Sequence, residues 1–184
     1  MRYKSDEISA LNKIYNATSS LIKNKDYDKL TISEIIRESK ISRSTFYVYF
    51  KDKDQILIHI CNDIFDHIFS NKLNKEKNHD FSLSDDSIHL LTHSFCHFLE
   101  DKELILPILN SSGSSTFLSV LRKRLKPLIL SLVDKKIIGN NDLPLDMKVH
   151  QYINGYVALL QYYLRHAYDL KPELISEYYL KLYK

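Results

Sequence analysis

Residues 43–53 bring hydroxyl groups, aromatic rings and cations together at the spacing of a short helix. Arginine can donate two hydrogen bonds to guanine O6 and N7, and serine, threonine, tyrosine and lysine can donate to bases or phosphate oxygens. Seven side chains in this stretch have that chemistry: Arg43, Ser44, Thr45, Tyr47, Tyr49, Lys51 and Lys53. We therefore predict that this segment contacts a nucleic acid through base edges and backbone phosphates.

Two phenylalanines in the same stretch have a different expected role. Phe46 and Phe50 lie one helical turn apart, and we expect them to pack with Ile41 against Ile32 and Ile35 of a preceding helix. The alternative is that every aromatic side chain here belongs to the core. That alternative explains both phenylalanines, but it does not explain two tyrosines and a threonine placed among them, with cations on either side.

Capping residues predict the short helices that position these side chains. Thr31 and Glu34 have the Thr-x-x-Glu spacing of a capping box, which starts a helix. Lys40 follows as a break, and Ser42 is a suitable N-cap for a second short helix over residues 43–49. Two short helices joined by a turn of three or four residues form a helix-turn-helix, whose second helix enters the major groove of DNA.

Helical periodicity also predicts the elements around this motif. Glycine (3) and proline (4) are scarce, which favours helices joined by short loops. Ser5 is a suitable N-cap for the first helix, Asp52 for a long helix after the motif, and Pro172 for the first turn of the last helix. The other predicted bounds are 5–24 for the first helix and, later in the chain, 86–101, 103–111, 114–136 and 144–168.

These elements predict an all-α chain in two parts. Residues 1–54 form an N-terminal three-helix helix-turn-helix domain for DNA binding. Residues 55–184 form a C-terminal helical bundle for regulation and dimerisation. The polar stretch of residues 70–86 is a loop or boundary.

The excess positive charge lies in the first third of the chain. Residues 1–54 contain 11 Lys+Arg and 8 Asp+Glu, whereas residues 55–184 contain 15 of each. A local basic surface suits a polyanion better than a weakly basic whole. Because a surplus of three can also arise by chance on a solvated surface, charge supports the prediction without deciding it.

Residues 5–57 resemble the DNA-binding domain of the TetR/AcrR family of bacterial transcriptional regulators. The resemblance rests on Leu30-Thr31-Ile32, Ile41-Ser42, Thr45-Phe46-Tyr47-x-Tyr49-Phe50, and Lys51-x-Lys53 followed by Ile56-Leu57. It implies DNA contacts at Thr31, Arg43, Ser44, Thr45, Tyr47, Tyr49 and Lys53.

The turn departs from the pattern of that family. The family usually has small residues before the turn and glycine within it, where this chain has Ile36, Ser39 and Lys40. Left-handed backbone costs a lysine roughly 1 kcal/mol more than a glycine, so either Lys40 accepts that strain or the turn differs. We also expect Lys40 to reach a phosphate.

Residues 149–168 are apolar on nearly every face, which predicts a helix with two burying partners. One partner is its own domain and the other is a second subunit; the alternative is a central helix buried within a monomer. The final helix offers a second strip, so we predict a four-helix homodimer interface. Its candidate residues are Ile153, Gly155, Val157, Ala158, Leu164, Leu174, Tyr178 and Leu182.

Residues 98–125 and 152–183 resemble, less specifically, the C-terminal domain of TetR-like regulators of low-GC Gram-positive bacteria. The resemblance implies dimerisation and either a small-molecule effector or a protein partner. For every candidate pocket residue the alternative is an ordinary place in the core. The candidates are Phe65, Phe69, Phe95, Phe98, Phe117, Leu121, Tyr152 and Tyr156.

Two stripes of possible metal ligands occur at a spacing of four residues. They are His59, Asp63 and His67, and His89, His93 and His97. Facing stripes would form a divalent metal site, but the apolar pattern of residues 88–99 leaves its histidines to one side. That favours a solvated face or a polar helix contact. We expect Cys61 and Cys96 to be small buried residues, and we predict no metal and no cofactor.

Other classes of protein lack their signatures here. There is no Gly-rich phosphate loop, nucleophile elbow or His-Glu-x-x-His, so no enzyme is predicted. No apolar run approaches the ~20 residues of a membrane span, the N-terminus has no apolar signal region, and two distant cysteines make no disulfide framework. We therefore expect no membrane association and a cytoplasmic location.

The sequence as a whole predicts a transcriptional regulator that binds double-stranded DNA as a homodimer. It would be a repressor, released from a near-palindromic operator by an effector. The alternatives are a helical protein-interaction module and a metal-responsive regulator that uses the histidine stripes.

Overall fold

The computed structural model describes residues 2–69, 86–139, 141–166 and 170–184. Within these ranges all regular elements are helical, which confirms the predicted all-α class, and a short 3-10 turn spans Tyr27–Lys29. The α-helices are α1 (Arg2–Asn24), α2 (Ile32–Ser39), α3 (Arg43–Tyr49), α4 (Lys53–Ile68), α5 (Asp86–Glu100), α6 (Lys102–Leu109), α7 (Ser114–Asp134), α8 (Leu145–His166) and α9 (Pro172–Tyr183). None of these helices alone has the length and apolar character to cross a membrane, although α6 and α7, bent by 118°, pass that test as a pair.

The turn between α2 and α3 forms where its capping residues predict it. The Thr31 hydroxyl accepts a hydrogen bond from the Glu34 N–H at 3.3 Å, and Glu34 accepts one from the Thr31 N–H at 3.0 Å. Lys40 has left-handed backbone, with φ 55° and ψ 37°, so it does accept the strain that glycine would avoid. Ser42 then accepts from the Thr45 N–H at 3.0 Å. The helix-turn-helix is therefore complete with lysine in its turn.

The other predicted helix bounds agree closely, with one correction at the start of the chain. Helix α1 begins at Arg2, so Ser5 lies inside the helix and does not cap it. The Asp52 carboxylate accepts from the Gln55 N–H at 2.8 Å and caps α4 as predicted. Helices α5 to α8 begin and end within two residues of their predicted bounds, and α9 begins at Pro172.

The chain folds into two compact units. The first comprises Met1–Asp63 with Glu103–Phe117, and the second comprises Ile64–Lys102 with Leu118–Lys184. Besides residues 1–54, the first unit includes α4 as far as Asp63, α6 from Glu103 and the start of α7. Asp28, for example, accepts hydrogen bonds from the Ser112 N–H at 3.1 Å and from the Ser112 hydroxyl at 2.5 Å.

The core of the first unit holds α3 in place. Helix α1 packs against α2 and α3, and Ile14, Ile35 and Phe46 are completely buried. Phe50 is also buried, and its ring lies 6.2 Å from that of Phe46. The two phenylalanines therefore have the anchoring role predicted for them.

Aromatic rings pack closely together in the core of the second unit. Helix α5 packs against α8 and α9. The Phe95 ring stacks on Tyr156 with 4.6 Å between centroids, and the Tyr156 hydroxyl shares a hydrogen bond with Ser94 at 2.7 Å. Tyr179 donates to the Tyr152 carbonyl at 2.9 Å. Burial raises the pKa of Tyr156 and Tyr179 well above the usual value.

Candidate nucleic-acid interface

Helix α3 presents four side chains to solvent. Arg43 and Ser44 are exposed, Tyr47 is 49% exposed and Val48 is 76% exposed. Thr45 and Tyr49 are only partly exposed. The outward face therefore consists of Arg43, Ser44, Tyr47 and Val48. Val48 was not among the predicted contact residues, and the predicted Thr45 and Tyr49 lie at the edge of this face.

Helical geometry explains this difference. At 3.6 residues per turn, Val48 stands on the side of α3 opposite to Phe46 and Phe50, whereas Tyr49 is closer to them. The prediction assigned apolar residues to the core and polar residues to the surface, and it therefore missed Val48. The angular position of residue 48 relative to the two phenylalanines would have identified it.

Three hydroxyl groups form a cluster at the amino end of α3. Besides capping the helix, the Ser42 hydroxyl lies 2.8 Å from the Ser44 hydroxyl and 2.7 Å from the Thr45 hydroxyl. The Arg43 guanidinium donates to the Ser33 hydroxyl at 3.3 Å. These contacts orient the polar groups toward the end of the helix that meets base edges in helix-turn-helix proteins.

Lys53 is held more firmly than a surface lysine. Its ammonium donates to the carbonyls of Tyr27 at 2.9 Å and Asp28 at 3.3 Å, and it lies 4.5 Å from the centre of the Tyr27 ring. The Tyr27 hydroxyl in turn donates to Asp54 at 2.7 Å. Two of the three ammonium protons are thus used within the chain, which leaves one for a phosphate.

Two nearby carboxylates, those of Glu34 and Asp28, are engaged within the chain, whereas Lys40 and Lys51 are exposed. Glu34 accepts from Lys25 at 2.7 Å and from the Thr31 hydroxyl at 2.8 Å. The hydrogen bond from Lys25, followed by those from Thr31, lowers the pKa of Glu34 to about 2. Hydrogen bonds from Ser112 lower the pKa of Asp28 below its usual value. The acids therefore stabilise helix starts and loops, and the lysines remain available to an anion.

The predicted pocket residues are mostly packed against one another. Seven of them are buried and Phe69 is partly exposed. Phe65 lies 5.9 Å from Phe98 between ring centroids, and Phe69 lies 6.4 Å from Phe98. Phe117 belongs to the first compact unit, whereas the other seven belong to the second.

A cleft of about 390 Å³ lies in the first unit and contains none of those eight residues. It is lined by Ile22, Lys23, Asn24, Lys25, Asp26, Pro107 and Asn110.

The predicted dimer residues divide into two groups. Ile153, Val157 and Leu164 are buried within their own unit. A Cβ at Gly155 would lie 2.6 Å from Cζ of Tyr183, so this glycine makes room for a ring of the same chain. Three of these four residues are therefore enclosed in the chain and Gly155 is partly exposed, and their place in a dimer interface stays a prediction.

The remaining dimer residues leave apolar surface on two helices. Tyr178 and Leu182 of α9 are exposed, Leu182 by 67%, and Leu174 one turn earlier is partly exposed. On α8, Ala158 is exposed, and so is Tyr162, by 57%. Tyr162 was not among the predicted residues, but it stands one turn after Ala158 on the same face.

The two histidine stripes meet at His67 and His97; the α4 stripe is exposed, whereas His93 and His97 of α5 are buried. His93 and His97 are buried, and their Nε2 atoms lie 2.9 Å apart. His67 of α4 packs edge to face on His97, with 4.5 Å between centroids, and His97 Nδ1 lies 3.1 Å from Glu100. In the described parts of the chain, no three His, Cys, Asp or Glu side chains are arranged to hold a metal.

Two family profiles match the chain. The profile described as "Bacterial regulatory proteins, tetR family" matches residues 14–60, and the one described as "Transcriptional regulator C-terminal region" matches residues 85–184, more than half of the chain. The chain therefore belongs to the TetR family of bacterial transcriptional regulators. This membership confirms the resemblance found in the sequence, and it confirms the prediction of a regulator and not an enzyme.

Relatives and solved structures agree with this family. IcaR of Staphylococcus epidermidis, a negative regulator of the biofilm operon icaADBC, is 21% identical over 167 residues, which cover 90% of this chain and 89% of IcaR. YuxN of Bacillus subtilis, an uncharacterized HTH-type transcriptional regulator, is 34% identical over 61 residues; that match covers 33% of this chain but only 21% of YuxN. A TetR transcriptional regulator from Streptococcus agalactiae has a TM-score of 0.80 at 25% identity, covering 99% of this chain and 97% of its own.

Proposed function

We propose that this regulator is a homodimeric repressor that inserts α3 of each subunit into the major groove of a near-palindromic DNA operator. The proposal rests on one observation: α3 is fixed on its inner side and exposes hydrogen-bond donors on its outer side. Its amino end is capped by Ser42, its inner side is anchored by Phe46, and its outer side presents Arg43, Ser44 and Tyr47. A rigid helix with donors on its free side is suited to reading base edges. Contact with chromosomal DNA also implies a cytoplasmic location.

Phosphate contacts would come from both sides of α3. Lys40 precedes the helix and Lys51 follows it, and both are exposed. Lys53 opens α4 with one ammonium proton free, next to backbone amides that begin a helix and favour an anion. Thr31 supports these contacts indirectly, because its hydroxyl is used in the cap of α2.

Dimerisation would use the apolar surface of α8 and α9. Ala158, Tyr162, Tyr178 and Leu182 are exposed there, and a second copy would remove these side chains from water. A two-fold dimer places two recognition helices about 34–36 Å apart, one turn of DNA, which accounts for a near-palindromic operator.

Regulation would act through the aromatic core of the second unit. Phe65, Phe98 and Tyr156 are fully buried, so a small apolar effector that enters this core, or a protein partner, would act by favouring a state in which this packing has changed. Such a state would release the DNA if it no longer matched the operator spacing. Repression is the activity named for IcaR, which supports the same sign of regulation here.

The DNA-binding proposal is tested by selecting bound duplexes from a randomised pool and measuring affinity for the enriched site by fluorescence anisotropy. We expect Tyr47→Ala to weaken binding at least tenfold with an unchanged melting temperature. Arg43→Ala should relax preference at one base pair per half-site by about 1–3 kcal/mol. Affinity should fall steeply with salt. A pool that yields no enriched sequence, together with salt-independent binding, would favour a protein-interaction module instead.

The dimer proposal is tested by sedimentation velocity. The double variant Tyr178→Glu with Leu182→Glu should sediment as a monomer, because it places charges in the proposed interface. Leu143→Glu is a matched control, since Leu143 is an exposed apolar residue outside α8 and α9. A wild-type chain that is monomeric at the concentrations that bind DNA would refute the interface.

A further inference from the structure

We propose that Val48 determines operator specificity by contacting the 5-methyl group of a thymine in each half-site. This proposal rests on the DNA-binding function proposed above. Val48 is 76% exposed, more than any other large apolar side chain in the described residues. It stands opposite the anchors Phe46 and Phe50, at the centre of the free side of α3.

An exposed valine at this position lowers the stability of α3, and burial within the chain does not compensate for that loss. Valine is a weaker helix former than alanine because its branched side chain loses rotamer freedom in a helix. Helix α3 has only seven residues, so each position matters to its formation. The same stiffness is favourable for contact, because a side chain with a single preferred rotamer loses little entropy when a partner covers it.

The neighbours of Val48 leave its methyl groups accessible from the amino end of the helix. Side chains in a helix lean towards the N-terminus, so Val48 leans over Ser44, one turn earlier, which is small. Ser44 and Tyr47 are exposed on the same side of α3, and Val48, the sixth of the seven residues of the helix, extends that side towards its carboxyl end. When this side of α3 faces the major groove, as proposed above, Val48 faces the base edges.

Only one of the four DNA bases offers an apolar group in the major groove. Guanine, cytosine and adenine present donors and acceptors there, whereas thymine also presents its C5-methyl group. A valine cannot satisfy a base donor or acceptor, so opposite any other base it would only displace water from a polar edge. The chemistry of Val48 thus selects thymine.

The test compares thymine with uracil, which pairs identically and lacks only the methyl group. Sites are first selected from a randomised duplex pool with the full-length protein. The enriched duplex is then synthesised with each thymine replaced in turn by uracil. At one thymine per half-site, we expect the replacement to raise the Kd of the wild-type protein about fourfold, the factor associated with burying one methyl-sized group.

Two variants assign the effect to Val48. Val48→Ala should bind the thymine and uracil duplexes equally well, and it should melt at the wild-type temperature or higher. Thr45→Ser removes a different methyl group of α3 and should keep the fourfold ratio of the uracil Kd to the thymine Kd. Leu143→Ala is the control for an exposed apolar change elsewhere, and it should behave as wild type.

Failure of this proposal differs from failure of DNA binding. If the protein binds its selected site but no uracil replacement changes the Kd, or if Val48→Ala keeps the fourfold ratio, then Val48 does not read a methyl group. If Thr45→Ser abolishes the ratio, Thr45 reads the methyl group instead. If no site is enriched at all, the DNA-binding function falls, and this proposal falls with it.

Discussion

An exposed tyrosine on α3 of the first unit contrasts with three buried tyrosines in the core of the second unit. In the first unit, Tyr47 of α3 is half exposed although the adjacent Phe46 is completely buried. In the second unit, Tyr156, Tyr163 and Tyr179 are completely buried. Their hydroxyls make internal hydrogen bonds at 2.7, 2.9 and 2.9 Å, and burial raises the pKa of Tyr163 to about 12.

This contrast shows that the burial and the hydrogen bonding of a tyrosine indicate its role, whereas its presence in the sequence does not. Helix α3 is short and capped, so it can bury one side while the other remains free. Helix α8 has 22 residues and packs with α5 and α9, so most of its tyrosines are enclosed. A hydroxyl that already has a buried partner stabilises the fold, whereas the exposed Tyr47 hydroxyl is available to another molecule.

The largest predicted effect separates neighbouring aromatic residues on α3. Phe46→Ala should lower the free energy of unfolding by about 3–5 kcal/mol, because it removes a completely buried ring. Tyr47→Ala should change stability by less than about 1 kcal/mol and act instead on DNA affinity. Urea unfolding and anisotropy on the same preparations measure both quantities.

One result would contradict the different roles assigned to Phe46 and Tyr47. If Tyr47→Ala unfolds the protein as readily as Phe46→Ala does, the exposed edge of α3 is part of the core. The aromatic residues of α3 would then resemble those of the second unit.

The next effect tests the close packing of the second unit. Gly155→Ala should lower stability by about 1–3 kcal/mol, because the added methyl group overlaps the Tyr183 ring. Tyr183→Ala should be destabilising alone but should relieve the overlap, so the double variant should be more stable than additivity predicts. Thermal unfolding of the four proteins measures this coupling.

A different result would change the interpretation of Gly155. If Gly155→Ala leaves the melting temperature unchanged but abolishes dimers in sedimentation, this glycine serves a second subunit, as the sequence suggested. If the effects of the two substitutions on stability are additive, the packing of the α9 rings does not depend on the small residue of α8.

Local signals in the sequence predicted the starts of α2, α3 and α4 well. Thr31, Ser42 and Asp52 each cap a helix, and each of the three helices begins at the residue after its cap. Such signals depend on hydrogen bonds between residues three apart, so they are visible without tertiary contacts. The two phenylalanine anchors follow from spacing alone.

Residue roles that depend on partners distant in sequence could not be predicted in the same way. The apolar character of α8 suggested a second subunit, but Ile153, Val157 and Leu164 are covered by their own unit. Gly155 has a partner 28 positions later, in α9. The exposed Val48 was missed for a related reason, since an apolar residue is assigned to the core unless its angular position is considered.

Two lysines with left-handed backbone allow a matched comparison between the units. Lys40 and Lys136 both have φ 55°. Lys40→Gly and Lys136→Gly should each raise the free energy of unfolding by about 1 kcal/mol, because glycine adopts this conformation without strain. Only Lys40→Gly should also weaken DNA binding. It should reduce the slope of log affinity against log salt concentration by about 1, since it removes a phosphate contact.

These two variants can fail independently. An unchanged salt slope for Lys40→Gly would mean that this lysine serves the turn and does not reach DNA. A loss of DNA affinity in Lys136→Gly would mean that the loop after α7 contributes to binding, which the geometry of α3 does not suggest.

The smallest predicted effect concerns the acid that supports α2. Glu34 accepts from Lys25 and from both donors of Thr31, and its pKa is lowered from 4.5 to about 2. Because the pKa is lowered in the folded state, the contribution of the carboxylate to stability is complete above about pH 4.5 and is lost as the pH falls towards 2. Glu34→Gln should therefore lower the melting temperature slightly at pH 7 and have no effect near pH 2.

Glu38→Gln is the matched control on the same helix, because Glu38 is exposed and has no ion-pair partner among the described residues. It should not change the melting temperature at either pH. An equal effect of both substitutions at pH 7 would show that the overall charge of α2 matters and that the specific contacts of Glu34 do not. An effect confined to Glu34 and to the higher pH would show that α2 is fixed by its cap, which is the condition for α3 to present a rigid reading surface.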